Sequence, residues 1–262
     1  MADSGAERRW AQALADWAIP EDILARAPES PWGFPPELFA TNAQDEDTPS
    51  IRRALEALPE DGRGTVLDVG VGTGAGSLPL AKKASHIAGV DESADMLAAF
   101  AKAAEAAGVA HYEIQGSWPE IAGRTKPAGV VVCNHVFYNV PELGAFAHAL
   151  TAHATRRVVA ESTDVHPQVN LNRLWKHFHG LERPQGPTAQ DALDVLKEAG
   201  IDARIERWQR MPRKRAGRQT IVAFTRRRLC LPAERDPEID RLLGDTSGFR
   251  SGAISTIWWD AS

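Results

Sequence analysis

A short apolar segment followed by a run of glycines constrains this chain more than any other feature. Residues 65–76 read TVLDVGVGTGAG, so a β-rich stretch ends in Asp68, and Gly70, Gly72 and Gly74 follow. A short, continuously apolar run of this kind is typical of a buried parallel strand. The glycines allow a tight turn in which a ligand lies against bare backbone, and the helix predicted next directs unpaired N–H groups toward it. The pattern therefore predicts a nucleotide-type cofactor site.

A second acid stands at the end of the next predicted strand. Residues 86–90 read as a buried strand that is followed by Asp91. An acid at this place in a βαβ unit accepts hydrogen bonds from ribose hydroxyls. The glycine pattern alone also fits the dinucleotide fingerprint, so a nicotinamide cofactor is the alternative.

The acid before the first glycine favours a different family. The segment DVGVGTG, residues 68–74, resembles the D-x-G-x-G-x-G motif of class I S-adenosylmethionine-dependent methyltransferases and matches it at every fixed position. The resemblance implies S-adenosylmethionine as the cofactor and places Asp91 on its ribose. The residues that it implies around the methionine part are Asp68, Gly70, Gly72 and Gly74.

Predicted strands and helices alternate along most of the chain. Beyond the second strand, the order is helix 93–107, strands 111–115 and 129–133, helix 142–152, strand 157–161 and helix 188–199. Residues 203–210 and 219–225 are predicted to pair as antiparallel strands through a loop at 211–217, similar to the end of the sheet in the resembled family. The predicted fold is α/β: a doubly wound, mostly parallel, seven-stranded Rossmann-like sheet with an antiparallel last strand, preceded by an N-terminal helical arm.

The domain organisation follows from composition. Residues 1–49, which include a proline-rich stretch, are predicted to form a helical arm or cap, and residues 50–228 the cofactor-binding domain. Within it, residues 162–187 are predicted to form a lid insertion over the cleft. Residues 229–262 are predicted to be a tail packed on the domain, because Trp258 and Trp259 near its end favour burial.

Further cofactor contacts are predicted where strands end, because ligands of doubly wound sheets bind at the carboxyl ends of the strands. Met96 matches the family's D-x-S-x-x-M pattern, in which the methionine packs on the adenine; burial between helix and sheet is the alternative. Ser117 and Trp118 follow the third strand, where the family often has an acid. Asn134 ends the fourth strand and is predicted to face the sulfonium.

The segment after the fourth strand supplies the predicted catalytic residues. His135 is the predicted general base, because imidazole titrates near neutral pH, and Tyr138 and Asn139 are predicted to orient the substrate. A backbone hydrogen bond that caps the strand is the alternative role of His135. The N/D-P-P-Y/F motif of enzymes that methylate exocyclic amines of bases does not stand here.

The substrate pocket is predicted from two segments. Trp32 in the N-terminal arm either lines the pocket or pins the arm to the domain. His166 and Trp175 lie in the predicted lid and suit a compact aromatic or heterocyclic substrate. His166, His177 and His179 have weak spacing for a metal site, and no metal is predicted.

Composition limits the partners. The net charge of −5 argues against nucleic acid as the main substrate, and the basic runs 213–218 and 226–228 lack the interleaved aromatics that stack RNA bases. Two isolated cysteines, no signal sequence and no long apolar segment favour a cytoplasmic protein without membrane contact. The predicted function is methyl transfer to a small molecule, in particular an aromatic one. The alternatives are an NAD(P)-dependent oxidoreductase and an RNA methyltransferase or non-catalytic binding protein.

Overall fold

One seven-stranded sheet organises the part of the chain that is described. The computed structural model describes residues 5–32, 47–210, 217–244 and 252–261. In chain order the strands are β1 Gly64–Val69, β2 Ala84–Asp91, β3 Ala110–Gln115, β4 Ala128–Asn134, β5 Ala154–Thr163, β6 Arg204–Gln209 and β7 Ala253–Asp260. Across the sheet their order is β3-β2-β1-β4-β5-β7-β6.

The direction of the strands decides where the site can form. Strands β1 to β5 pair in parallel, whereas β7 runs antiparallel to both β5 and β6. Strand β6 therefore runs parallel to the first five, and its carboxyl end lies at the same edge as theirs. The predicted fold class, a doubly wound sheet with an antiparallel last strand, is confirmed.

The central strands are apolar on both faces because helices cover both sides of the sheet. Val66, Leu67, Val130 and Val131 are completely buried. Two hydrophobic clusters lie on the two sides of these strands, one against α5 (Leu143–His153) and the other against Phe100. The free thiols of Cys133 and Cys230 are both buried.

The helices begin at the residues that the capping patterns indicate. Ser93 and Thr188 accept hydrogen bonds from the backbone N–H groups of Met96 and Asp191, which fixes the starts of two helices. The segment after the glycines, residues 77–83, was predicted as a helix and is a short 3-10 turn, Leu78–Lys82. The other helices are α1 Gly5–Ala15, α2 Glu21–Leu24, α3 Pro49–Ala57, α4 Ala94–Ala106, α6 Asn172–His179, α7 Ala189–Glu198, α8 Arg218–Arg228 and α9 Asp236–Leu243.

The predicted antiparallel strand at residues 219–225 is wrong. These residues belong to α8, whose Ile221, Val222 and Phe224 are buried, and the partner of β6 is β7 from the C-terminal tail. Trp258 and Trp259 therefore lie in a strand inside the sheet. The predicted hairpin loop and the basic run overlap residues 211–216, which lie outside the described residues, as do residues 33–46 of the predicted arm.

A helical cap with its own hydrophobic centre stands beside the sheet. Segments that are far apart in the chain contribute to it: α2, the insertion after β5, and the insertion between β6 and β7. We call the following residues the cap cluster: Ile23, Leu171, Leu174, Trp175, Ile221, Val222, Leu229, Cys230, Leu231, Ile239 and Leu243. Among the described residues, no helix is long and apolar enough to cross a membrane.

Candidate active site

In the glycine turn after β1, two glycines pack against neighbouring side chains and the third, Gly72, faces open space. Gly70 and Gly74 have φ angles of +75° and +87°, and a Cβ atom would lie 2.3 Å from Val136 at the first and 2.8 Å from Leu78 at the second. Gly72 has a φ angle of +52°, and no atom lies within 4 Å of its absent Cβ. Ligand atoms can therefore approach the backbone at Gly72.

Asp91 lies directly beside this opening. Its Oδ2 accepts a hydrogen bond from the backbone N–H of Gly72 at 2.9 Å, and its Oδ1 accepts one from the N–H of Ser93 at 2.9 Å. A carboxylate offers about four acceptor positions, so each oxygen keeps capacity for a hydroxyl group. The half-buried Asp91 can therefore bind a diol without losing its contacts with the protein.

Asp68 is held below the turn in an almost dry environment. Only 1% of the residue is exposed, and its Oδ2 accepts a hydrogen bond of 2.6 Å from the Ser77 hydroxyl. Burial raises the pKa of Asp68 to about 7, against the effect of the Ser77 hydrogen bond and with a further contribution from Asp91. The carboxyl group therefore changes its charge near neutral pH.

The ends of β3 and β4 border the same edge. Met96 and Ser117 are half-buried, whereas Trp118 is 8% exposed and packs edge-on against His153, with 4.8 Å between the ring centroids. The side-chain oxygen Oδ1 of Asn134 is buried and accepts no hydrogen bond from the described residues. An acceptor of this kind is suited to a ligand that brings a donor or a positive charge.

His135 stands in a strained conformation directly after β4. Its φ angle is +61°, which is uncommon for a residue with a side chain. The backbone N–H donates to the carbonyl oxygen of Glu161 at 2.7 Å, while Nε2 lies 3.1 Å from the Glu161 carboxylate and Nδ1 lies 2.8 Å from the Tyr138 hydroxyl. The strain holds the imidazole between these two groups.

Glu161 at the end of β5 is the centre of this network. The side chain is 4% exposed, accepts a hydrogen bond of 2.7 Å from Ser50, and pairs with both His135 and Arg210. Burial would raise the pKa of Glu161, but the hydrogen bond and charge of His135, with Arg210 and Ser50, lower it to about 2. Glu161 is therefore a permanent buried anion at neutral pH.

The pKa of His135 is raised and that of Tyr138 is lowered, so the two values approach each other. Burial lowers the pKa of His135, but Tyr138 and Glu161 outweigh it and raise the value to about 9. Burial raises the pKa of Tyr138, but the charge of His135 and hydrogen bonds from Ser162 and Thr163 lower it below the usual value. The Tyr138 oxygen also accepts the backbone N–H of Thr163 at 2.8 Å. The pair can therefore hold a protonated imidazole beside an acidified phenol.

The sequence patterns did not indicate three residues of this network: Glu161, Arg210 and Ser50. Glu161 ends an apolar strand just as Asp68 and Asp91 do, which was a usable signal. Arg210 directly follows β6, so its position at the same edge depends on the strand order. Ser50 reaches the network from the first turn of α3, a contact that no local pattern indicates.

An aromatic stack joins the N-terminal helices to the lid insertion. The rings of Trp17 and His166 stack with 4.0 Å between centroids, and His166 meets Tyr138 edge-on at 5.9 Å. Burial lowers the pKa of His166 to about 4, with a further contribution from Arg183, so the ring is neutral. Arg183 lies over the rings of both Trp17 and Trp175.

The three other predicted substrate contacts differ in their exposure. Trp175 is completely buried in the cap cluster, so its predicted contact with a substrate is replaced by a role in the core of the cap. Trp32 is 51% exposed, and its backbone N–H donates to the hydroxyl of Ser30. Asn139 is exposed in a 3-10 turn, Phe137–Asn139, and its N–H donates to the carbonyl oxygen of Val136.

The histidines of the lid insertion pair with other groups. His177 lies 2.8 Å from Glu238, and His179 lies 2.7 Å from the carbonyl oxygen of Leu229. Within the described ranges, no group of three or more His, Cys, Asp or Glu side chains is arranged to hold a metal ion.

The comparison with protein families agrees with this geometry. Residues 66–161, which run from β1 to the end of β5, match the model of a methyltransferase domain. These residues are therefore similar to a methyltransferase domain, in agreement with the sequence motif at residues 68–74. The matched segment contains the glycine turn, Asp91, His135 and Glu161. No curated protein matches the chain by sequence.

Solved structures share the fold of this chain. A protein of echinomycin biosynthesis, described by the conversion of a disulfide bond into a thioacetal group, is 17% identical, with a TM-score of 0.55 over 92% of this chain and 91% of that one. Magnesium protoporphyrin IX methyltransferase from Synechocystis is 16% identical, with a TM-score of 0.51 over 92% and 94%. A methyltransferase-like protein from Bacillus halodurans is 14% identical, with a TM-score of 0.52 over 80% and 98%.

The residues at this edge of the sheet fit S-adenosylmethionine, the cofactor that the sequence motif implies. The molecule carries a ribose diol, a cationic sulfonium and an ammonium group. Asp91 has free acceptor capacity beside the open backbone at Gly72, and Asn134 has an unpaired buried oxygen. Asp68 can ionise when a cation approaches. The donors of the cofactor thus have matching acceptors.

Proposed function

We propose that this protein is a methyltransferase that acts on a small molecule with an aromatic part. It transfers the methyl group directly to a nucleophilic atom of that molecule. The proposal depends mainly on the arrangement of Tyr138, His135 and Glu161. They lie next to the cofactor edge, by which we mean the edge of the sheet formed by the carboxyl ends of β1 to β5. The aromatic stack of Trp17 and His166 beside Tyr138 supports an aromatic substrate. One neighbour in fold is by its name a methyltransferase of magnesium protoporphyrin IX, so this fold accommodates an aromatic small molecule.

The proposed cofactor site consists of the residues at the ends of β1 to β4. Asp91 would hold the ribose hydroxyls, because its two oxygens lie beside Gly72 and keep free acceptor positions. Asp68 and Asn134 would face the cationic part, since both are buried acceptors. The glycines at 70, 72 and 74 keep the backbone close, and Met96, Ser117 and Trp118 would surround the adenine.

In the proposed mechanism the proton acceptor is Tyr138, whereas the sequence led us to expect His135 in this role. When bound, S-adenosylmethionine supplies an electrophilic methyl group on a sulfonium. His135 is held as a cation by Glu161, so it has no free position for a further proton. It donates from Nδ1 to the Tyr138 oxygen and favours the ionised phenol. Tyr138 then accepts the proton of a hydroxyl or amine nucleophile.

The proposed pocket lies between the catalytic pair and the helical cap. Residues 162–187 would form one wall of it, as the predicted lid does, with His166 as an uncharged aromatic surface. Val165 is 44% exposed two residues from Thr163, whose backbone N–H binds Tyr138. An exposed valine at this place suits contact with an apolar substrate ring. Trp32 and Asn139, both exposed, would contact the outer part of the substrate.

The experiment that tests the function compares two classes of acceptor. The protein is incubated with tritium-labelled S-adenosylmethionine and, separately, with the small-molecule filtrate and the RNA fraction of a cell lysate. We expect label in an extractable small molecule. Label that enters only RNA would contradict the proposal.

Tyr138→Phe tests the catalytic pair with the same labelled product. The variant keeps the aromatic ring but loses the proton acceptor, so we expect kcat to fall by about 100-fold or more. The wild-type rate should rise with pH as the pair loses a proton, and the variant should lose this dependence. Tyr112→Phe, which makes the same change at a half-buried tyrosine within β3, serves as the control. A Tyr138→Phe variant with the wild-type kcat and pH profile would contradict the assignment.

A further inference from the structure

We propose that Arg210 and His135 form a subsite for a carboxylate group of the acceptor substrate, with buried Glu161 as the residue that holds both cations in position. This inference rests on the proposed function, because the subsite belongs to the same substrate pocket. It adds the chemical class of the group that the substrate presents there.

The strand order brings Arg210 to the reactive edge. Arg210 directly follows β6, which runs parallel to β4 and β5, so it lies at the same edge as His135 and Glu161. Its Nη1 lies 3.4 Å from His135 Nε2, and its Nη2 donates to the Glu161 carboxylate. Trp208 lies below the guanidinium group at 5.2 Å from its ring centroid and supports its position.

The charges of this cluster do not balance. While the Tyr138 phenol keeps its proton, His135 and Arg210 share one carboxylate, that of Glu161, so one positive charge of the cluster remains uncompensated. The side chains of His135 and Arg210 are 37% and 21% exposed, whereas that of Glu161 is only 4% exposed. An incoming molecule therefore meets the two cations and not the anion.

The other acids near these strands are directed elsewhere. Asp164 after β5 accepts hydrogen bonds from Arg207 and Ser255, and Asp68 and Asp91 stand at the ends of β1 and β2 by the glycine turn. The Tyr138 oxygen bonds to His135 and to the Thr163 N–H, and it carries no negative charge while the phenol keeps its proton. Within the described residues, the positive charge at Arg210 and His135 is thus left for a ligand.

The hydrogen-bonding capacity of the cluster points to a carboxylate. Glu161 is satisfied by Ser50, His135 and Arg210, so it needs no further partner. The Nε of Arg210, in contrast, is buried and has no acceptor among the described residues. A guanidinium group is a planar fork of donors that matches the two oxygens of a carboxylate. A neutral amide in the same place would leave the charge unpaired and is disfavoured.

The experiment measures binding, so that it does not depend on turnover. The protein is first saturated with S-adenosylhomocysteine, and benzoate and 4-hydroxybenzoate are titrated in by calorimetry. Benzamide and 4-hydroxybenzamide, which have the same shape without the charge, are the matched ligands. In parallel, NMR follows the imidazole resonances of His135 during a pH titration with and without each ligand.

We expect at least one of the two carboxylates to bind tenfold or more tightly than its amide, and its presence to raise the titration midpoint of His135. Arg210→Gln should abolish this preference, and Arg210→Lys should retain part of it, since the charge stays but the fork is lost. Arg204→Gln is the control, because Arg204 is an exposed arginine at the opposite end of the same strand. It should bind as the wild type does.

The contradicting results are distinct from a failure of the proposed function. Equal binding of acid and amide, no binding of either acid, or an unchanged preference in Arg210→Gln would each overturn the subsite. If Arg210→Gln does not fold, the wild-type preference, the His135 titration and Arg210→Lys decide. A protein that does not bind S-adenosylhomocysteine would contradict the methyltransferase site itself, before any carboxylate is added.

Discussion

The carboxyl group of Asp68 is almost without water, and this makes the stability of the ligand-free protein depend on pH. Its pKa is raised to about 7 from a usual value of 3.8, so the folded state binds the proton more tightly than the unfolded state does. The stabilisation by Asp68 is fully present below the usual value and is lost as the pH rises through about 7. Above that pH, the fold contains a buried charge whose hydration is lost.

Asp68→Asn should therefore stabilise the ligand-free protein more at pH 8 than at pH 5. The interval from pH 5 to the pKa of about 7 spans two pH units. Over this interval, the difference between the free energies of unfolding of variant and wild type should change by about 3 kcal/mol. Urea denaturation at the two pH values measures it, with exposed Asp61→Asn as the control. A difference that is the same at both pH values would show that Asp68 is not the buried acid described above.

Gly72 tests the open position of the turn. Its φ angle of +52° costs a residue with a side chain about 1–2 kcal/mol, but no atom would collide with the added methyl group of Gly72→Ala. We expect the variant to fold and to lose more than tenfold in affinity for S-adenosylhomocysteine, because the methyl group occupies the space for the ligand. Denaturation and calorimetry separate the two effects. Wild-type affinity in a folded variant would show that no ligand lies against this residue.

At the scale of elements, the last strand, β7, stabilises the sheet because it lies between β5 and β6 and pairs with both. Ile257 of β7 is completely buried and pairs with Ala160 in β5 and Ile205 in β6. Ile257→Ala should lower the free energy of unfolding by about 2–5 kcal/mol, as large-to-small changes in a core do. Leu24→Ala, at a residue that is 37% exposed, should change it by less than about 1 kcal/mol. Equal effects of the two variants would contradict this role for β7.

The alternating strands and helices were predictable because their signals are local. Each of β1, β2, β4 and β5 is a short apolar run that ends in a polar residue at the cofactor edge. The same rule misassigned residues 219–225, where β-branched and aromatic residues favour a strand. In the structure, burial in the cap decides for a helix, with Ile221, Val222 and Thr225 on its inner face.

The site was predictable only where one strand and its turn form it. Asp68, Asp91 and His135 lie at the ends of strands that local patterns predict, and the structure brings them to one edge. Arg210 and Ser50 meet Glu161 through pairing that is distant in sequence, so no local pattern contained them. Trp175 was assigned to the pocket from its aromatic character, but the tertiary packing of the cap buries it.

At the scale of the whole molecule, the sheet supplies the cofactor edge and the cap supplies the proposed substrate side. The cap cluster joins residues from α2, α6, α8 and α9, so these helices share one hydrophobic centre. The aromatic stack of Trp17 and His166 connects this cap to Tyr138. We therefore expect the choice of substrate to depend on the cap, and the binding of the cofactor and the methyl transfer to depend on the sheet.

Calorimetric titration of the full chain with S-adenosylhomocysteine, and separately with NADH, tests the central claim most directly. We expect binding of S-adenosylhomocysteine with a dissociation constant of about a micromolar, near 8 kcal/mol of binding free energy, and no heat with NADH. Asp91→Ala should weaken the binding at least tenfold, because the proposed contacts with the ribose hydroxyls are lost. Binding of NADH without binding of S-adenosylhomocysteine, or an Asp91→Ala variant with wild-type affinity, would contradict the account.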